Sequence, residues 1–211
     1  MSSFQKWSWV FLILCMPLTA AAQEPTSVVQ APQSASEALA RYEQLLSGTA
    51  GQAKRLYLIT KIAPTALAAG ETAKATAYSQ SLLSQAPEMP NDWNYGNAIH
   101  VAHLVLGHIA LSSGDVAEAK RQLLQAGHTT GSPQLNSFGP NMRLAQELLA
   151  KEEREVVLQY FELCAKFWGD RQGLLKKWKS MILEGAKPDF GANLGYGLEV
   201  WHYDNWNKLQ E

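Results

Sequence analysis

One short element, met twice, constrains this chain more than anything else in it. Ala69-Gly70-Glu71-Thr72-Ala73-Lys74-Ala75 and Ser113-Gly114-Asp115-Val116-Ala117-Glu118-Ala119 both read Gly-acid-x-Ala-x-Ala, and their glycines stand 44 positions apart. Each copy follows an apolar stretch and precedes a second helical stretch. Glycine just past a helix end permits the left-handed backbone that closes the helix. An acidic residue opening the next helix meets the positive end of that helix's dipole. The unit is therefore a helix, a tight turn and a second helix. Units repeated at such a period cannot each bury an apolar face alone, so they stack. The element predicts an all-α chain of packed helical hairpins.

The surroundings of the second copy carry a resemblance. Leu106, Gly107, Ala110, Ala119, Leu123 and Ala126 have the spacing at which the tetratricopeptide-repeat (TPR) family places its small and large signature residues. Gly107, Ala110 and Ala119 let paired helices approach, and Leu106 and Leu123 fill the space between them. The first copy, around residues 52–87, places Ala63, Ala66 and Ala75 in the small positions and ends at Pro87. A third copy lies 38 positions beyond the second. It has Leu144, Ala145, Leu148, Val157, Phe161 and Cys164 in the equivalent places and Glu152-Glu153 at the turn. His103 stands where the family has a bulky or aromatic residue, and Pro133 falls beyond the family's proline position near 131, so the repeats are divergent. The chain thus resembles a TPR-like protein over residues 52–167. The resemblance implies a short right-handed superhelical solenoid whose work is to bind a protein or peptide, without a cofactor.

Helical periodicity extends this reading. The helix expected over 94–112 is apolar on two faces, Ile99, Ala102, Leu106 and Ala110 on one and Val101, Leu104, Val105 and Leu111 on the other. Such a helix is buried between neighbours, as a middle repeat requires. A helix from Ser36 to Ser47 is expected to cap one end, and one over 170–184, with Leu174, Leu175, Trp178, Met181 and Ile182, the other. The helical domain is read as 36–184, followed by an aromatic tail over 185–211.

The first residues read differently. Lys6, the apolar run Trp9-Val10-Phe11-Leu12-Ile13-Leu14, the breaker Pro17 and the small residues Ala20-Ala21-Ala22 form the pattern of a secretory signal. The run is far short of the ~20 residues of a membrane-spanning helix. Cleavage after Ala22 is expected, with residues 23–35 as a flexible leader and a periplasmic or secreted destination. Cleavage would leave Cys164 as the one cysteine, which cannot form an internal disulfide. The formal net charge of −1 shows no basic stripe, so a nucleic-acid partner is not expected.

Candidate binding residues come from three places. The segment 131–141 is long for a helix-to-helix link, usually about 2–8 residues, and it carries Gln134, Asn136, Phe138 and Asn141. Phe138-Gly139-Pro140-Asn141 is echoed by Phe190-Gly191-Ala192-Asn193. The shared pattern has two readings. Its aromatic and amide groups bind a partner, or each Phe docks in the core, each Gly turns and each Asn caps a helix. His100 and His103 lie three apart on one helix and can meet. Two ligands fall short of a zinc site's three or four, and His108 sits ~12 Å along the axis from His100. The pair therefore reads as packing or groove-lining, and no metal site is expected. In the tail, Trp201, Tyr203 and Trp206 either fold back over Trp168 and Trp178 or form a docking segment, with Trp201 and Trp206 the candidates for contact.

Cys164, among Phe161, Leu163 and Phe167, reads as an inert buried thiol. No sequence pattern of a nucleophile elbow, metalloprotease helix, redox dithiol or phosphate loop occurs. The expectation is an exported, non-catalytic binding or scaffold module. The rival is an exported enzyme, such as a cell-envelope hydrolase, with a site of unfamiliar pattern.

Overall fold

The computed structural model describes residues 34–170 and 172–196, all within the unit Ala31–Glu211. The expected signal sequence, most of the leader, and Trp201, Tyr203 and Trp206 lie outside the described residues. The described chain is all-α. Its helices are α1 (Ala35–Gly48), α2 (Gln52–Ala68), α3 (Thr72–Gln85), α4 (Tyr95–Ser112), α5 (Val116–Gly127), α6 (Pro133–Phe138), α7 (Arg143–Ala150), α8 (Arg154–Cys164) and α9 (Leu174–Leu183). Short 3-10 turns cover Ala86–Glu88 and Gly191–Leu194.

Three turns repeat one hydrogen-bond pattern. Gly70 N–H donates to Leu67 C=O at 3.0 Å and Glu71 N–H to Ala66 C=O at 2.9 Å. Gly114 and Asp115 do the same to Leu111 and Ala110, and Glu152 and Glu153 to Leu149 and Leu148, at 2.9–3.1 Å. Each is the paired closure that satisfies a helix's last carbonyls through a left-handed residue. Gly70 and Gly114 take φ of 78° and 87°, and Glu152 takes the same region at 63° without glycine's freedom. The three hairpins α2–α3, α4–α5 and α7–α8 therefore turn alike.

Packing follows from the apolar faces. α4 lies against α3 and α5 and also touches α2, α6 and α7, while α8 joins α5, α7 and α9. Leu104, Val105, Ala102 and Val101 of α4 are accordingly buried. Each fully buried aliphatic side chain contributes roughly 1.5–3 kcal/mol. At Gly107 a Cβ would come within 2.3 Å of Leu144 Cδ2, so its missing side chain sets the approach of α7 to α4.

Two segments differ from expectation, each for a local reason. The stretch 131–141 holds a helix of its own, because the Ser132 hydroxyl accepts Leu135 N–H at 3.0 Å and Pro133 supplies a ready first-turn φ. The helix expected from 170 starts at Leu174. Gly173 is left-handed at φ 66°, and the Asp170 carboxylate accepts the N–H groups of Leu174 and Leu175 at 2.7 and 2.9 Å.

Beyond α9 the chain packs back onto the helices. Phe190 is buried, with its ring centroid 5.0 Å from that of Trp178 in an edge-to-face contact. Phe161 and Trp168 complete the cluster around Trp178, whose indole donates to Asp189 C=O at 3.1 Å. Cys164 is buried beneath this end of the molecule, and burial pushes its thiol well up, so it stays a thiol.

Candidate functional site: an aromatic groove with an amide floor

A groove of about 240 Å³ runs across α2, α4 and α6. Its walls are two aromatic pairs. Tyr57 of α2 and Trp93 have centroids 5.5 Å apart, and Phe138 of α6 and Tyr196 lie 5.6 Å apart. Trp93 is 48% exposed and Phe138 57%, unusual for rings of this size. The Lys61 ammonium lies 5.5 Å from the Tyr57 ring centroid, within cation–π range.

The floor is a relay of side-chain hydrogen bonds linking the three helices. Thr60 of α2 donates its hydroxyl to Leu56 C=O and accepts Asn94 Nδ2 at 2.9 Å. Asn94, at the start of α4, accepts Asn97 Nδ2 at 3.0 Å. Asn97 also donates to Gln134 Oε1 at 3.1 Å and accepts the Ser132 hydroxyl at 2.7 Å. Buried polar groups of this kind are tolerated because each finds a partner. The relay fixes the bearing of α6 on α4.

His100 sits beneath the floor, 2% exposed. Its Nδ1–H donates to Ala126 C=O at 2.9 Å, and its Nε2 accepts Asn141 N–H at 3.2 Å, so the ring is held neutral with the proton on Nδ1. Burial lowers its pKa to about 4; the Ala126 bond opposes that lowering, and nearby His103 adds to it. His103 points elsewhere, with Nδ1 2.7 Å from Gln122 Oε1, and burial lowers its pKa too. The two histidines thus take separate partners. Among the described residues no group of three or more His, Cys, Asp or Glu side chains could hold a metal ion.

The echoed Phe-Gly-x-Asn segments bind each other. Asn193 Nδ2 donates to the carbonyls of Phe138 and Pro140 at 3.1 and 2.9 Å. Asn141 Nδ2 donates in return to Leu194 and Tyr196 at 3.2 and 2.8 Å. Tyr160 donates its hydroxyl to Asn141 C=O at 2.9 Å, anchoring the exchange to α8. Gly139, at φ 91°, lies so close that a Cβ would meet the Trp168 ring at 2.5 Å. This clasp brings Tyr196 beside Phe138 and so builds the second wall.

No family model, curated protein or solved structure matches the chain.

The geometry divides the candidates named from sequence. Gln134, Phe138 and His100 line the groove, His100 from below. Asn141 is 1% exposed and serves the clasp. Asn136 is exposed on the other side of α6, and His103 faces α5. Of the two docking readings for the echoed phenylalanines, Phe190 enters the core and Phe138 does not. The Asn141 side chain also accepts Arg143 N–H at 2.9 Å near the start of α7, while Asn193 caps no helix and serves only the clasp. Sequence reasoning missed Tyr57, Lys61, Trp93, Asn94, Asn97 and Tyr196. An Asn94-x-x-Asn97 pair opening an apolar helix was the signal available, since amides three apart share a face.

Proposed function

We propose that this chain is an exported, TPR-like binding module that holds a protein or peptide segment in the groove across α2, α4 and α6. The observation that carries the reading is the pairing of exposed aromatic walls with a hydrogen-bonded amide floor. Exposed Trp, Tyr and Phe gathered around a polar floor are the composition of recognition surfaces, because rigid rings bury area at low entropic cost. The solenoid reading has its own support in the three like turns. It is also supported by the neighbour order, in which α2 touches α4 and α4 touches α7 while α5 touches α8. In stacked hairpins the first helices of successive units line one surface, and the groove lies on that surface. Export rests on the N-terminal pattern alone.

The test is selection of binders from a displayed library of random linear peptides. Selected peptides should cross-link to benzoylphenylalanine placed at Phe138, and Trp93→Ala should abolish the capture. A library that yields no sequence-specific binder, or binders indifferent to Trp93→Ala, overturns the reading.

A further inference from the structure

We infer that the groove takes a proline-rich segment in the polyproline II conformation. This rests on the peptide-binding reading above and narrows it to one ligand chemistry. The floor leaves few hydrogen-bonding groups without a partner, and those left are donors. Each of its side-chain oxygens already takes one donor. Asn94 Oδ1 and Gln134 Oε1 both take Asn97 Nδ2, Asn97 Oδ1 takes the Ser132 hydroxyl, and Thr60 Oγ1 takes Asn94 Nδ2. His100 Nε2 is occupied by Asn141 N–H. Because the bond from Asn97 holds Gln134 by its oxygen, Gln134 Nε2 is the end that remains to be used. The Trp93 indole N–H likewise has no partner among the described residues. The tyrosine hydroxyls of Tyr57 and Tyr196 can serve either way, and among the described residues no Asp or Glu lines the groove.

Two unpartnered donors beside oxygens that are already engaged suit a ligand that brings acceptors without donors. An ordinary extended peptide brings N–H donors as well as carbonyls, and those turned toward the floor meet oxygens that already hold a donor. A pyranose hydroxyl can accept from the floor's donors, but it brings a donor of its own to each place it occupies. Proline brings a carbonyl and no N–H. Its ring faces pack against aromatic faces, and the polyproline II helix is formed before binding, so little entropy is lost on docking. Two aromatic walls with donors between them are the counterpart of that helix's ridges and carbonyls.

The experiment titrates the full chain with decaproline and, separately, with a proline-free Ala/Ser decapeptide, following indole and side-chain amide resonances by NMR. Decaproline should shift the Trp93 indole and Gln134 amide signals saturably. Gln134→Glu keeps the oxygen that Asn97 binds and removes the donor, so it should weaken decaproline up to about tenfold, the factor for one lost hydrogen bond. Gln134 is exposed, so the variant's unfolding midpoint should equal the parent's. If the proline-free peptide shifts the same signals as strongly, the proline inference fails while peptide binding stands. If neither peptide shifts them, both fail. If chitotetraose saturates the groove and decaproline does not, the donor–acceptor argument is wrong.

Discussion

Acid should loosen this fold through one imidazole. His100 joins α4 to α5 through Ala126 and to the clasp through Asn141; the first bond needs a proton on Nδ1, and the second needs Nε2 unprotonated, hence the neutral ring. Burial holds its pKa at about 4, against an ordinary 6.5. The unfolded chain therefore takes up a proton between pH 6.5 and 4 that the folded chain refuses. Stability from this group is complete above pH 6.5, declines as the pH falls, and is gone below pH 4. A gap of that width corresponds to ~3 kcal/mol in all, of which about 2 kcal/mol disappears between pH 7 and pH 5. For a chain of this size that is a fall in Tm of roughly 4–8 °C.

The assay is urea unfolding at pH 7 and pH 5 for the parent and for His100→Gln, each compared with itself. His103 is also pushed down by burial and acts in the same direction, but it is present in both chains and cancels. The variant should lose about 2 kcal/mol less than the parent over the interval. Should His100→Gln fold poorly, the Cε1–H resonance of His100 in the parent gives the answer directly, with a midpoint near 4. A midpoint near 6.5, or equal losses in parent and variant, would show that His100 is not the buried neutral link described above.

Other perturbations test other joints. Asn193→Asp presents carboxylate oxygens to the Phe138 and Pro140 carbonyls in place of two donors, and should cost about 3 kcal/mol by urea unfolding, since a buried carbonyl is left unpaired. Gly96→Ala would gain about 1 kcal/mol of helix propensity. Its Cβ would meet the backbone Gly131 oxygen at 1.9 Å, however, so a net loss of roughly 2 kcal/mol is expected, and any stabilisation would contradict the close contact. Glu152→Gly relieves a left-handed glutamate at the cost of its exposed pair with Arg154, and should raise the unfolding free energy by up to about 1 kcal/mol.

How far the sequence reached depended on the range over which each feature is written. The hairpin turns were legible because Gly70 and Gly114 with the acidic residue after them encode the turn within a few positions. Even Glu152 could be placed by its offset, although nothing in its chemistry favours φ of 63°. The short helix α6 was written locally too, in Ser132-Pro133, and was passed over because the segment was read by its length. The groove was not legible in this way. Tyr57, Trp93, Phe138 and Tyr196 come from four separate stretches of chain, and only the stacking of α2, α4 and α6 together with the clasp brings them to one groove.

The echoed Phe-Gly-x-Asn segments show why a visible motif can still mislead. Both copies were apparent, and the choice was posed as partner binding against independent packing of each copy. The structure takes neither option whole, because Asn193 donates to carbonyls of the first copy and Asn141 to those of Leu194 and Tyr196, just past the second. Similarity between distant segments was read as repetition of one role, when here it is complementarity between two. An amide carries both a donor pair and an acceptor, so two copies of one short segment can close on each other as two different segments would need coordinated change to do. That closure holds Tyr196 against Phe138, and with it the second wall of the groove. The clasp is thus the point at which packing becomes recognition. A variant that opens it, such as Asn193→Asp, should reduce decaproline binding even though neither Asn193 nor Asn141 lines the groove.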